Sequence, residues 1–242
     1  MLDTHDRLLP GEAHRILGLP AYSFFVSLGL IVGLVYYFYD LRQREQTGTD
    51  ALWIAAVALV SGVIGSKIPQ LLAGGGIQSV LYDKSIVGAL LGGMFGVIAF
   101  KKIKRIKLKM GNVIAPAAAI GIAIGRLGCF FSGCCYGVVA AWGFDFGDGQ
   151  LRLPTQLFES TFHLIAFLML INLRKKVETP GLLFKLYLLA YFIFRFVSEF
   201  FRENLIVGFG MSIYQIICVL GLLYITIILR REASGRQQHA AT

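Results

Sequence analysis

Residues 84–109 read KSIVGALLGGMFGVIAFKKIKRIKLK. From Ile86 to Phe100 no side chain carries a charge, and six of the next nine residues are Lys or Arg. A helix needs roughly 20 apolar residues to span bilayer hydrocarbon, and a basic run behind such a stretch belongs at anionic headgroups. Gly88, Gly92 and Gly96 recur at four-residue spacing, with Ala89 and Gly93 beside them. Small residues in that pattern let a neighbouring backbone approach closely, which matters where lipid gives no hydrophobic drive for association. The stretch predicts a packed transmembrane helix over about 84–100 that ends at the cytoplasmic face.

The same pattern repeats outward in both directions. Spans are expected at about 21–39, 51–72, 84–100, 112–132, 156–173, 181–201 and 208–229, giving an all-α polytopic membrane helix bundle of about seven helices. The fourth span carries Ala117, Gly121 and Gly125 at the same small-residue spacing, and Gly74-Gly75-Gly76 breaks the chain between the second and third. Composition agrees: 56% of residues are hydrophobic and 15% charged, with a mean hydropathy of +0.69. A soluble chain carries nearer a quarter charged residues. The net charge of +9 sits in short runs between apolar stretches, which argues for lipid headgroups and against nucleic acid. Residues 1–242 are expected to form one transmembrane domain, with an external segment over 1–20, a short external loop over 138–155 and a cytoplasmic tail over 230–242. The first twenty residues lack the basic start and short apolar core of a cleaved leader, so the first span is expected to be permanent.

Basic residues set the orientation. Arg42 and Arg44, the six cations of 101–109, Arg174, Lys175, Lys176, Arg230, Arg231 and Arg236 fall on one side, fourteen in all. Six fall on the other: Arg7, Arg15, Lys67, Lys84, Arg152 and Arg202. The richer side is expected to be cytoplasmic, with the N-terminus outside and the C-terminus inside.

With that orientation the unusual polar residues gather in the outer halves of the spans. They are Lys67 and Gln70; Asp83 and Lys84; Arg126, Cys129 and Ser132; Gln156, Glu159 and His163; Arg195, Glu199 and Arg202; and Tyr214 and Gln215. Charge inside a membrane is costly and marks function. Snorkelling at one interface is the plainer reading, but Arg126 and Arg195 lie too deep for it. A single polar cavity open to the outer leaflet is expected.

Arg195, Glu199 and Arg202 are spaced i, i+4, i+7 and share a helical face, where Glu199 can sit between the two guanidinium groups. A forked guanidinium suits a pair of phosphate oxygens, although a structural ion-pair ladder uses the same spacing. Gln156, Glu159 and His163 are placed likewise on the fifth span. His163 is the only histidine within a span, the others being His5, His14 and His239, and it is either a base or structural.

The fourth span ends in GRLGCFFSGCCYG over 125–137, with three of the four cysteines inside seven positions. Cys218 is expected to be an apolar filler. A disulfide, a thiolate activated by Arg126 and plain structural cysteines all fit the cluster. A metal site fits less well, because no second Cys/His pair lies at ligand spacing. If the thiols do chemistry, Cys129 and Cys134 should lie within reach of Arg126, and Cys135 should point elsewhere.

At these residues the chain resembles the bacterial prolipoprotein diacylglyceryl transferase family. Gly125-Arg126-Leu127-Gly128, continuing through Phe130 and Gly133 to Gly137, is similar to that family's signature. Leu153-Pro154-Thr155-Gln156-Leu157-Phe158-Glu159 is similar to its His-Pro-Ser-Gln-Leu-Tyr-Glu segment, and Phe194–Arg202 to its Phe-Arg-Phe-x-x-Glu-Phe-Phe-Arg segment. The resemblance implies a multi-pass protein of the bacterial cytoplasmic (inner) membrane, its site toward the outer face. It also implies transfer of diacylglyceryl from phosphatidylglycerol to the cysteine thiol of a lipoprotein precursor, with glycerol phosphate as leaving group. Arg126 and Arg195 would hold the phosphate and Glu199 would orient them. The chain departs from the family at Val87-Gly88-Ala89, where the family has His-Gly-Gly. It departs again at Cys129 and Cys134, which replace an Asn and a Glu, and at Leu153, which replaces a His. The connection between the fourth and fifth spans is also much shorter than the family's.

The expected function is a membrane transferase moving a diacylglyceryl-type group from an anionic phospholipid to an external thiol acceptor, a lipoprotein precursor or a small thiol, or in transit to an enzyme cysteine. The candidate catalytic set is Arg126, Arg195, Glu199, Cys129, Cys134 and His163. The candidate binding set is Arg202, Gln156, Glu159, Lys67, Ser132 and Tyr214. No cofactor, metal or nucleic acid is expected. A thiol–disulfide oxidoreductase using Cys129, Cys134 and Cys135, and a transporter of lipid or small anions, are the alternatives.

Overall fold

The computed structural model describes residues 15–45, 48–74, 84–204, 206–208 and 210–240, with backbone alone over 235–240. Its helices are α1 (Ala21–Arg42), α2 (Thr49–Gly65), α3 (Ile68–Leu72), α4 (Ile86–Lys104), α5 (Gly111–Phe131), α6 (Thr155–Arg174), α7 (Leu182–Ser198) and α8 (Ile213–Ala240). Short antiparallel hairpins join some of them: β1 (Arg15–Ile16) with β2 (Leu19–Pro20), β3 (Val139–Asp145) with β4 (Leu151–Arg152), and β5 (Ile206–Gly208) with β6 (Met211–Ser212). The molecule is an all-α multi-pass membrane protein. Among the described residues, six segments are long and apolar enough to cross a bilayer: α1, α2 with α3, α4, α5, α6 and the first part of α8. The sixth expected span, α7, has 17 residues, about 26 Å of helix. It runs directly into a 3-10 turn over Glu199–Phe201, which adds about 6 Å and brings it to the hydrocarbon thickness of about 30 Å.

Three boundaries differ from expectation. The second span is broken into α2 and α3, because the ring of Pro69 cannot coexist with a regular helical bond to the carbonyl of Gly65. The expected loop over 138–155 holds the β3–β4 hairpin. The last helix starts later than expected, at Ile213, and continues well past residue 229, so the basic tail begins as helix. Asp83, His5, His14 and His239, and the side chain of Arg236, lie outside the described residues.

The chain divides into two compact units. Among described elements the first holds β1–β2, α1, α5, β3–β4, α6, the start of α7 through Phe184, and residues 200–203. Its seam is α1 against α5. A Cβ on Gly29 would collide with the carbonyl of Gly121, and one on Gly33 would lie 2.9 Å from the carbonyl of Ala117. At the far end Asp40 accepts from Arg174 Nε (3.1 Å) and from Arg44 Nε (3.3 Å), tying α1 to α6. Asn112 clamps the approach to α7 by donating to Thr179 O (2.8 Å) and accepting from Leu183 N (3.0 Å).

The second unit holds α2, α3, α4, α7 from Lys185 onward with Glu199 beyond it, β5–β6 and α8. Its seam is α2 against α4, where a Cβ on Gly65 would meet Gly88 O at 2.5 Å and Gly92 Cα at 2.7 Å. Ser85 caps α4 by accepting from Gly88 N (3.3 Å). Lys185 of α7 pairs with Glu232 of α8.

Candidate active site

In the first unit, α5 is almost entirely small and aliphatic until Arg126, and α6 begins after Pro154. Arg126 is 7% exposed and Glu159 1%. Their side chains meet at 2.5 Å, NH2 to Oε2, bridging the two helices. Two buried charges are tolerated in apolar surroundings only when they are paired. One residue on, Ser160 Oγ donates to Ala123 O (2.7 Å), a second tie across the same seam. His163 lies one further turn along α6, fully buried, with its ring edge-on to Phe162. Gln156 Nε2 donates to Cys134 O at 2.7 Å, while its Oε1 is buried and has no hydrogen-bond donor among the described residues.

The cysteines follow from how α5 ends. Gly133 has φ +61°, Gly133 N donates to Phe130 O (3.1 Å), and Cys134 N donates to Cys129 O (3.1 Å). That pair of bonds is a Schellman motif, and it folds the chain back over the helix end. Cys135 then also takes a left-handed backbone, φ +63°. The result corrects one expectation: Cys135 does not point away. The Sγ atoms of Cys129, Cys134 and Cys135 all lie within 4.8 Å of one another. All three are free thiols, so the disulfide, one of the readings left open, is not formed. Arg126 NH1 donates to Cys129 Sγ at 3.6 Å. Hydrogen bonding from the Cys129 and Cys134 thiols holds Cys135 well below the ordinary thiol value, and hydrogen bonding with Cys129 and Cys135 pushes Cys134 up. The turn is anchored by Thr155 Oγ1 to Cys135 O (2.8 Å) and Gly137 N to Leu153 O (2.8 Å). A Cβ on Gly137 would strike Phe201 O.

In the second unit, Arg195 is 5% exposed and Glu199 4%. Arg195 NH2 meets Glu199 Oε2 at 2.7 Å, one turn along the chain, and its guanidinium carbon lies 5.1 Å from the centre of the Tyr214 ring. Glu199 Oε1 accepts from Ser212 Oγ (2.8 Å) and Asn204 Nδ2 (2.5 Å). Ser212 also caps α8. Its Oγ accepts from Gln215 N (3.3 Å), and Gln215 Oε1 accepts from Ser212 N (3.0 Å), a reciprocal capping box.

The continuous face expected for Arg195, Glu199 and Arg202 does not form. Regular helix ends at Ser198, and beyond the 3-10 turn Arg202 NH1 donates to Thr155 Oγ1 (3.2 Å) in the first unit's cysteine turn. Lys67 is half-buried at the break between α2 and α3, and Ser132 is the last residue before the Schellman glycine. Sequence reasoning missed Ser212, Asn204 and Thr155. Only Ser212 had a legible signal, the Ser-x-x-Gln spacing ahead of an apolar run.

Comparison with known proteins finds relatives over most of the chain. The family model described as prolipoprotein diacylglyceryl transferase matches residues 13–231. A Clostridium perfringens phosphatidylglycerol–prolipoprotein diacylglyceryl transferase 2 is 30% identical over 82% of this chain and 84% of its own length. The enzyme of that name, without the number, from Clostridium tetani is 28% identical over 78% and 84%. The one from Streptococcus uberis is 29% identical over 88% and 92%.

Proposed function

The chain belongs to the prolipoprotein diacylglyceryl transferase family, and from that premise we propose that it transfers diacylglyceryl from phosphatidylglycerol to the cysteine thiol of a prolipoprotein. The observation that carries this reading is the pair of buried arginines, Arg126 and Arg195, each fixed by a glutamate within otherwise apolar helices. Displacement at the glyceryl carbon leaves glycerol phosphate, whose negative charge must be stabilised as the C–O bond breaks. A guanidinium carries five N–H donors in a rigid fork matched to phosphate oxygens. Glu159 and Glu199 hold the two forks in place before substrate arrives, so little reorganisation is needed at the moment of reaction. Gln156 Oε1 is an acceptor suited to a glycerol hydroxyl of the donor headgroup.

The protein is read as lying in the bacterial cytoplasmic membrane with its N-terminus outside, on the fourteen-to-six asymmetry of basic residues. A reporter fused after Lys109 is expected to be cytoplasmic and one fused near Gly147 external. The transfer itself is tested in vesicles holding purified protein, phosphatidylglycerol labelled in its acyl chains and a cysteine-bearing lipoprotein-precursor peptide. Label is expected on the peptide thiol. Absence of transfer with correctly inserted protein overturns the proposal.

A further inference from the structure

We infer that Cys129, Cys134 and Cys135 form a three-thiolate site for a single thiophilic divalent cation of the zinc class, with its fourth coordination position open. Three sulfurs no more than 4.8 Å apart surround a common point at most about 2.8 Å from each, against a Zn–S bond of about 2.3 Å. Side-chain adjustments of about 0.5 Å close the site. An all-sulfur donor set selects soft d10 cations over magnesium or calcium. Charge is partly offset. Three thiolates and a 2+ ion sum to one negative charge, and Arg126, which shares its positive charge with Glu159, donates to Cys129 Sγ at 3.6 Å. Access is graded, with Cys129 buried, Cys134 partly so and Cys135 the most open of the three.

The backbone supplies a second line of support. A β-carbon-bearing residue in the left-handed region costs roughly 1–2 kcal/mol, and Cys135 adopts it at φ +63° immediately after the Schellman turn. That conformation brings the third sulfur into the cluster. Thr155 and Gln156 hold it there through the carbonyls of Cys135 and Cys134. Strain held in place by surrounding hydrogen bonds is a mark of a working site.

Resting on the transfer proposed above, the open position takes the acceptor thiol. On coordination the acceptor S–H gives its proton to water. The resulting thiolate uses an electron pair to form the S–C bond to the glyceryl carbon. The C–O bond to phosphate breaks with its pair, which leaves on glycerol phosphate, and the ion keeps its oxidation state.

The test uses full-length protein in detergent, stripped with a chelator and reduced with a phosphine. Cobalt(II) is expected to bind at one equivalent with sulfur-to-cobalt charge-transfer absorption, to be displaced by one equivalent of zinc(II), and to change spectrum when a cysteine peptide is added. Binding should tighten as pH rises, because the thiols must lose protons to ligate. Cys134→Ser and Cys135→Ser should each weaken zinc binding by about 100-fold or more, whereas Cys218→Ala, buried within α8, should not. No stoichiometric uptake by reduced protein, uptake unchanged in Cys134→Ser, or a Cys129–Cys134 disulfide in freshly isolated protein would each overturn the site. Failure of the transfer reading is separable: Arg195→Ala should lose transfer and keep zinc, and wild-type protein that transfers without zinc refutes the metal alone.

Discussion

Arg126 meets Glu159 across the seam between α5 and α6, whereas Arg195 meets Glu199 one turn along its own chain. Both pairs are buried and both join a guanidinium to a carboxylate. They differ in what else depends on them. The Arg126 pair is a tether between helices, seconded by Ser160 to Ala123 O. The Arg195 pair is local, and its carboxylate is braced from outside by Ser212 and Asn204. The first unit therefore ties two helices together through its charge pair, while the second pairs its arginine within one chain segment and seats it over the Tyr214 ring of α8.

That contrast gives ordered expectations. Glu159→Ala leaves Arg126 buried without its carboxylate and should cost about 3–5 kcal/mol of stability, measured by thermal unfolding in detergent. If Glu159→Ala unfolds no earlier than wild type, the tether is not one. Arg195→Ala should lower transfer by about 10²–10³-fold and, because it leaves Glu199 buried without its cation, should also lower the melting temperature, by less than Glu159→Ala because Ser212 and Asn204 still donate to that carboxylate. Arg195→Lys should recover little, since a point charge lacks the fork. Full activity in the lysine variant would refute bidentate phosphate binding.

Smaller effects sharpen the picture at the seams. Gly29→Leu forces a side chain against the α5 backbone and should destabilise by about 1–3 kcal/mol. Ser212→Ala removes a helix cap and one brace on Glu199, for about 1 kcal/mol, with transfer falling more than stability does. Gly125→Ala is the smallest. A Cβ there meets nothing within 4 Å, so stability should move by no more than about 0.5 kcal/mol. A large loss would mean the seam runs through Gly125 as the small-residue pattern suggested.

Much of the helical framework was legible because a membrane span is a local composition: some twenty residues either are apolar or are not. Thus α1, α4, α5 and α6 fall within a few residues of expectation. The break at Pro69 was equally local, but the apolar pattern continues through it and concealed it. Arg126, Glu159, Arg195 and Glu199 stood out one by one, as charges in apolar runs must.

The pairing of Arg195 with Glu199 was legible too, at i, i+4 spacing, but that of Arg126 was not. That Glu159 is the partner of Arg126 depends on two helices packing with a given rotation, and no spacing along the chain encodes that. The outward reading of Cys135 failed for a related reason. Adjacent cysteines on extended or helical backbone point apart, and only a left-handed residue after a folded-back helix end turns both sulfurs to one side. Sequence by itself determined that this chain crosses a membrane many times and carries arginines in apolar helices, because hydropathy and the cost of buried charge act residue by residue. Tertiary structure alone decided that Arg126 meets Glu159 and that three thiols converge, because those are distances between atoms, set by how helices pack and how the chain turns between them.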